Sequence, residues 1–299
     1  DLKPFHANSL YSNVSCKLLP VFSTCEIVHI NQPGSIDEIA LLSSAANVSI
    51  NSMETLLAAV ESRMDYFHAL GARSALCSFE TFPTYQPRLD KAEKALKAAL
   101  SGEKVKAGQI ACYQSALLYH LGLMYAKRNW VQHLYIGTQP CGNFHQQASF
   151  PFNKGIDQPI ASGLSSLFEA LAADSALPKT AITCTSWYHY NTLISLASSI
   201  TQQHGNAHIQ VRLHNHWGVG QIKQQIDTMT EKQMLTSSIG FSNGGLPLLK
   251  LISHDYTRRI LCQYLGEWAE TGQIGCSVDE INAIINNVAY QNINNLYSV

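Results

Sequence analysis

A chain of 299 residues has room for one large domain or two modest ones, and an apolar content of 46% is enough for a sizeable core. Lys+Arg 20 against Asp+Glu 21 leaves a net charge of −1, which excludes a general polyanion binder, because phosphate backbones are held by a basic excess. Charged residues make up 14% where about 25% is usual, so much of the surface is expected to be Asn, Gln, Ser, Thr and His, or to be covered by a partner.

The opening Asp1-Leu2-Lys3-Pro4-Phe5-His6 has neither an initiator Met nor a basic-then-apolar leader, and it reads as the middle of something longer. The first short apolar run is 17–22. A helix is expected over 52–70, with Leu56, Leu57, Val60, Met64 and Phe67 on one stripe and Gly71 as a left-handed stop. A second run at 73–77 precedes a mostly helical excursion over 83–127, charged in its first half. A third run, 130–137, is followed by a stripe of Leu164, Leu167, Phe168 and Leu171. Runs at 180–185, 208–213 and 237–242 then recur at intervals of about 30 residues, the size of a strand-helix-strand unit. A polar helix is expected at 222–234. Two helices follow: Ile260, Leu261, Tyr264, Leu265 and Trp268 repeat at helical spacing, and Ser277 with Glu280 forms a capping box ahead of Ile281, Ile284, Ile285 and Val288.

Short, continuous apolar strands alternating with helices give a parallel sheet covered on both faces. That pattern fits either an open doubly wound sheet or a closed barrel. No glycine-rich phosphate loop follows a strand, which favours the barrel over a nucleotide-binding sheet. Six runs are two fewer than the eight of a (β/α)8 closure. The whole chain, 1–299, is read as one barrel-type domain with 83–127 as a helical insertion between two of its strands.

No stretch reaches the roughly 18 uncharged apolar residues of a membrane span. The most apolar candidate, 115–126, is short and contains His120. The eight cysteines form no CxxC pair, and several sit in apolar runs, so buried free thiols and a reducing, cytoplasmic compartment are expected.

Specific blocks carry a resemblance. His254-Asp255-Tyr256-Thr257-Arg258-Arg259-Ile260-Leu261-Cys262, Leu265-Gly266-Glu267-Trp268, the stretch 124–131 with Leu134-Tyr135-Ile136-Gly137, Leu177-Pro178-Lys179-Thr180 and Leu19-Pro20-Val21-Phe22 run in order along the chain. On these, the sequence resembles the uronate isomerase (glucuronate/galacturonate isomerase) family of the amidohydrolase superfamily. The resemblance implies an α/β fold, a (β/α)8 TIM-type barrel with strands three to eight represented. Strands one and two have no expected counterpart, nor does the metal-binding His-x-His of strand one. It also implies a hexuronate substrate and a divalent metal such as zinc.

Three positions depart from the family's pattern. Tyr135 stands where the family carries a metal-binding His. Asn243-Gly244-Gly245-Leu246 stands where a Thr-Asp-Ser-Arg pattern supplies a metal-binding Asp and a carboxylate-binding Arg. Pro140 lies near the place of a further Arg. A phenol and an amide do not replace an imidazole and a carboxylate around a divalent cation without a large loss of affinity.

His214-Asn215-His216-Trp217 follows the fifth of the six runs, where barrel active sites lie at strand C-termini. His214 and His216 are candidate metal ligands, or else one caps a loop and the other meets solvent. His189, in Trp187-Tyr188-His189-Tyr190, is a candidate third ligand or substrate contact, with aromatic packing as the alternative. Tyr135 is either a proton donor at the barrel mouth or a filler of the space a metal would take. The candidate site is therefore Tyr135 and Asn243 for chemistry, His189 and Trp217 for substrate, and His214 and His216 for metal. Cys184 and Cys141 lack a His at a diagnostic spacing and are not expected to be nucleophiles. Asp255, Arg258 and Arg259 are expected to form a charge network at a helix start. Three functions stay open: a divergent isomerase, a non-catalytic binding or structural homologue, and a rebuilt metal site at His214 and His216. Open strand edges are expected to pair, through a homo-oligomer or a partner segment.

Overall fold

In the computed structural model, the described residues are 19–137, 160–184, 187–204, 209–214, 219–242 and 247–297. In chain order they form β1 (Val21–Ser23), α1 (Cys25–Val28), α2 (Ser35–Ala46), α3 (Met53–Ala69), β2 (Ser74–Phe79), α4 (Leu89–Leu100), α5 (Ala107–Lys127) and β3 (Val131–Ile136). There follow α6 (Ile160–Ala173), β4 (Thr180–Cys184), α7 (Trp187–His204), β5 (Ile209–Val211), β6 (Leu213–His214), α8 (Val219–Glu231), β7 (Phe241–Ser242), α9 (Pro247–Glu270), α10 (Val278–Asn286), a π-helical turn (Asn287–Gln291) and α11 (Asn292–Tyr297). Strands β1 to β5 are hydrogen-bonded in chain order, and β6 pairs with β7. Chain-order neighbours are what successive strand-helix-strand crossovers produce, and the pairs β1–β2, β4–β5 and β6–β7 are parallel. The α/β class expected from the alternating runs is the class observed.

The contacts divide the chain into two compact units. The first takes in the described residues of Asp1–Cys77, Pro83–Gln132 and Ser166–Pro178. Its core is the apolar stripes the sequence lays on its helices: Leu56, Val60 and Met64 of α3, Leu117 and Leu121 of α5, and Leu167, Phe168 and Leu171 of α6 are all buried. Ser52 starts α3 with a capping box: its Oγ accepts from the Thr55 amide at 3.2 Å, and Thr55 Oγ1 accepts from the Ser52 amide at 3.0 Å. Ser52→Ala is expected to cost about 1 kcal/mol, read as a lower urea midpoint with an unchanged slope. Gly71, at φ 93, stops the segment where a left-handed residue is needed. Beyond the end of α5, the Arg128 guanidinium, 7% exposed, bridges Glu61 and Asp65 of α3 at 3.2 and 2.5 Å. Trp130 is fully buried, and its indole N–H donates to His68 Nδ1 at 2.9 Å.

The second unit takes in the described residues of Ser78–Phe82, His133–Ser165 and Lys179–Val299. Its strands are served from below by the last helical segments. Lys179 Nζ, just before β4, donates to the Leu296 carbonyl at 2.9 Å. Asn292 Nδ2 donates to the Thr236 and Ser238 carbonyls, each at 2.8 Å, ahead of β7. Gly240 has φ +78, and a Cβ there would stand 2.9 Å from the Val288 carbonyl oxygen. The approach to β7 therefore needs glycine on two counts.

Several expectations are corrected. The run at 208–213 yields two strands, because the chain changes partner at Arg212: the Arg212 amide donates to Ile182 O at 2.8 Å, and the Leu213 amide to Gly240 O at 3.2 Å. The run at 237–242 keeps only Phe241–Ser242 as strand, since Ser238 N turns back onto Leu235 O at 3.1 Å. Asp255 pairs with Arg258 and Arg259 at 3.1 and 2.8 Å, but inside α9 rather than at a helix start, as exposed (i,i+3) and (i,i+4) pairs of small energetic weight. Cys77, Cys112 and Cys184 are buried free thiols as expected, whereas Cys262 is exposed and Cys25 is disulfide-bonded. Sequence spacing misses such a bond because spatial approach, not a local motif, decides it.

Candidate functional site

In parallel strand-helix folds the ligand meets the C-terminal ends of the strands. The C-terminal ends of β2, β3, β4, β6 and β7 all belong to the second unit. There the ends of β2 and β3 are joined by the Gly137 amide donating to Phe79 O at 2.8 Å, and Gly137 takes φ 84 as the chain leaves β3. Tyr135 is the penultimate residue of β3 and is half-buried. Position 214 ends β6 and pairs with Ser242, which ends β7. His189 lies in the first turn of α7, two residues after it begins, and is half-buried.

The structure therefore puts Tyr135, position 214 and His189 at the same end of the strands. His216, Trp217 and Asn243 lie outside the described residues, and for His214 only the backbone is described.

The sequence reading missed a polar face on the same strands. Successive strand residues face opposite ways, so His133 and Tyr135 share one side of β3 while Leu134 and Ile136 take the other. In the β4–β5 ladder, Ala181 pairs with Gln210 and Ile182 with Val211, which brings Thr183 opposite Arg212. Apolar Ile182, Ile209 and Val211 are buried, and among them Thr183 and Gln210 are buried polar residues. His133 Nε2 shares a 2.5 Å hydrogen bond with the Tyr297 hydroxyl of α11, and the rings stack at 6.1 Å. Burial, with the positive charge of Arg212 second, lowers the His133 pKa to about 3, so the imidazole is neutral. Its Nδ1 and the Thr183 hydroxyl are buried without a hydrogen-bond partner. The available signal was a polar residue at every second place, His133 with Tyr135 and Gln210 with Arg212, inside runs that read as mostly apolar.

Among the described residues no group of three or more His, Cys, Asp or Glu side chains is placed to hold a metal ion. Tyr135 offers a phenol, and His133 is already engaged with Tyr297. The described donors by themselves do not fit a divalent cation, which asks for several converging imidazoles or carboxylates. What the strand face offers instead is hydrogen-bond donors and acceptors and one guanidinium. No helix among the described residues is long and apolar enough to cross a membrane.

Comparison with known proteins gives a consistent picture. A family model described as glucuronate isomerase matches residues 2–297. A uronate isomerase of Serratia proteamaculans is 27% identical over 307 residues, covering 100% of this chain and 65% of its own length. One from Clostridium perfringens is 28% identical over 288 residues, covering 94% of this chain and 61% of the relative. Among solved structures, uronate isomerase from Thermotoga maritima superposes with a TM-score of 0.76 at 19% identity, over 93% of this chain and 61% of that one. Glucuronate isomerase from Caulobacter crescentus gives 0.77 at 16% identity, over 94% and 58%. This chain thus spans less than two thirds of the length of these relatives and shares the fold of the two solved structures over that part.

Proposed function

The chain belongs to the glucuronate isomerase family, and on that premise we propose that it binds hexuronates. The reaction class is aldose–ketose isomerisation, D-glucuronate with D-fructuronate or D-galacturonate with D-tagaturonate, as in hexuronate breakdown. The observation that supports this reading is the half-buried Tyr135 at the end of β3, on the polar face shared with His133. A hydroxyl there can hydrogen-bond a sugar oxygen or carry a proton.

Isomerisation moves a proton between neighbouring carbons and needs a base and a polarised carbonyl. In this reading Tyr135 and Asn243 occupy the places of stronger groups, so turnover is weakened. His189 and Trp217 contact the sugar. Purified protein is expected to turn over either hexuronate at about one hundredth or less of the rate of a full-length relative, because one misplaced acid–base group costs about that much. A coupled assay on both sugars, with elemental analysis of the same sample, checks it. Turnover equal to the relative's would refute the weakened site. Hexuronate binding with no turnover would favour the non-catalytic homologue. A stoichiometric metal lost in a His214→Ala, His216→Ala double variant would favour the rebuilt metal site.

A further inference from the structure

We propose that Arg212, with Thr183 beside it and Tyr135 on the neighbouring strand, forms a carboxylate-binding subsite for a sugar acid. The assignment rests on the hexuronate reading and adds to it the group that holds the charge. It starts from a shortage: none of the seven described strands contains a Lys or Arg, and Arg212, at the junction of β5 and β6, is the cation placed between them. The strands carry no Asp or Glu either, so no strand-borne carboxylate stands against it.

Its position is fixed by backbone bonds. The amide of Arg212 donates to Ile182 O at 2.8 Å, which continues the β4–β5 register and sets Arg212 across from Thr183. It is only half-buried, so one side of it reaches solvent, as Tyr135 does. β3 lies next to β4 in the sheet order, so Tyr135 is carried by the strand beside Thr183, and the Arg212 charge adds to the lowering of the His133 pKa.

Two further groups point to a ligand. The Thr183 hydroxyl and His133 Nδ1 are buried and unpartnered, and buried polar atoms in folded proteins are nearly always satisfied by protein, water or a bound molecule. Arg212 has other contacts, but a guanidinium carries five donors and presents more than one edge. A planar carboxylate fits its fork through two parallel hydrogen bonds, and neighbouring hydroxyls suit the sugar's own.

The test is calorimetric titration of the purified chain with D-glucuronate, D-gluconate, D-glucose and inorganic phosphate. Arg212→Gln, Arg212→Lys and Thr183→Val are compared with wild type, and folding of each is verified by circular dichroism. Lys223→Gln, which removes a cation tied to Glu267 at 3.3 Å on the helices, is the control. Expected are binding of the two sugar acids but not glucose, a loss of about tenfold or more in Arg212→Gln, a partial loss in Arg212→Lys and Thr183→Val, and none in the control. Hexuronate binding unchanged in Arg212→Gln overturns the subsite while the hexuronate reading stands; if that variant does not fold, unchanged binding in Arg212→Lys and Thr183→Val decides in the same way. Arg212-dependent binding of gluconate but of neither D-glucuronate nor, in a parallel titration, D-galacturonate supports the subsite and sinks the hexuronate reading. Phosphate bound as tightly as the sugar acids overturns the carboxylate assignment, and no binding of any sugar acid overturns both.

Discussion

Trp130→Ala is expected to lower folding stability by about 3–5 kcal/mol, the cost of emptying a fully enclosed aromatic site. Among the described residues Trp130 is the largest side chain that is wholly buried, and it precedes β3 at the point where α5 hands over to the sheet. Its ring meets Phe22 of β1 at 6.2 Å and stacks on His68 at 6.1 Å, so removing it opens a void between a strand and a helix of the same unit. The loss has a second part. Its indole N–H fixes His68 Nδ1 as an acceptor, and that imidazole, whose pKa is lowered by burial first and by Arg73 second, is left without its donor. Trp130→Phe separates the two, because it keeps most of the volume and loses only the hydrogen bond, about 1–3 kcal/mol. Equilibrium urea unfolding of both variants measures the difference. A Trp130→Ala loss no greater than that of Trp130→Phe would show that the cavity carries nothing.

The second large effect is a pH dependence. His133 is neutral when folded, with its pKa lowered to about 3, and titrates near 6.5 when unfolded. The unfolded chain therefore binds the extra proton throughout the interval between those values. The contribution of His133 is complete above about pH 6.5 and declines as pH falls toward 3, by about 1.4 kcal/mol per pH unit for one proton. His133→Gln removes that slope while leaving a group able to bond the Tyr297 hydroxyl. Urea midpoints taken between pH 6.5 and 4.5 are expected to fall less steeply in the variant than in wild type. His120 and His68, both lowered by burial, leave a residual slope of the same sign. Parallel lines for the two proteins would exclude His133 as the source.

The helices were the most legible part of the sequence because a 3.6-residue stripe leaves a mark no strand imitates. Leu164, Leu167, Phe168 and Leu171 all prove to be buried on α6, and Ser277 caps α10 through Glu280 as its spacing requires. The strands were placed but not resolved. A continuous apolar run says that a strand is covered on both faces, yet it does not show where hydrogen bonding passes from one neighbour to the next, and so the break at Arg212 was invisible. The π-helical turn at Asn287–Gln291 was equally hidden, since an Asn-rich stretch has no periodicity to read. Of the candidate residues, Tyr135 and His189 were found by position relative to strand ends. His133, Thr183 and Arg212 were passed over because each alone looks like an interruption of a buried run, and only the β4–β5 register shows that Thr183 and Arg212 stand opposite one another.

The close approach of Gly240 to Val288, with Asn292 holding the carbonyls of Thr236 and Ser238, ties the entry of β7 to residues synthesised some fifty positions later. During translation that strand emerges well before the segment that steadies it. The second unit therefore reaches its native arrangement only after Asn292 has cleared the ribosome, and until then the approach to β7 is open to chaperones and proteases.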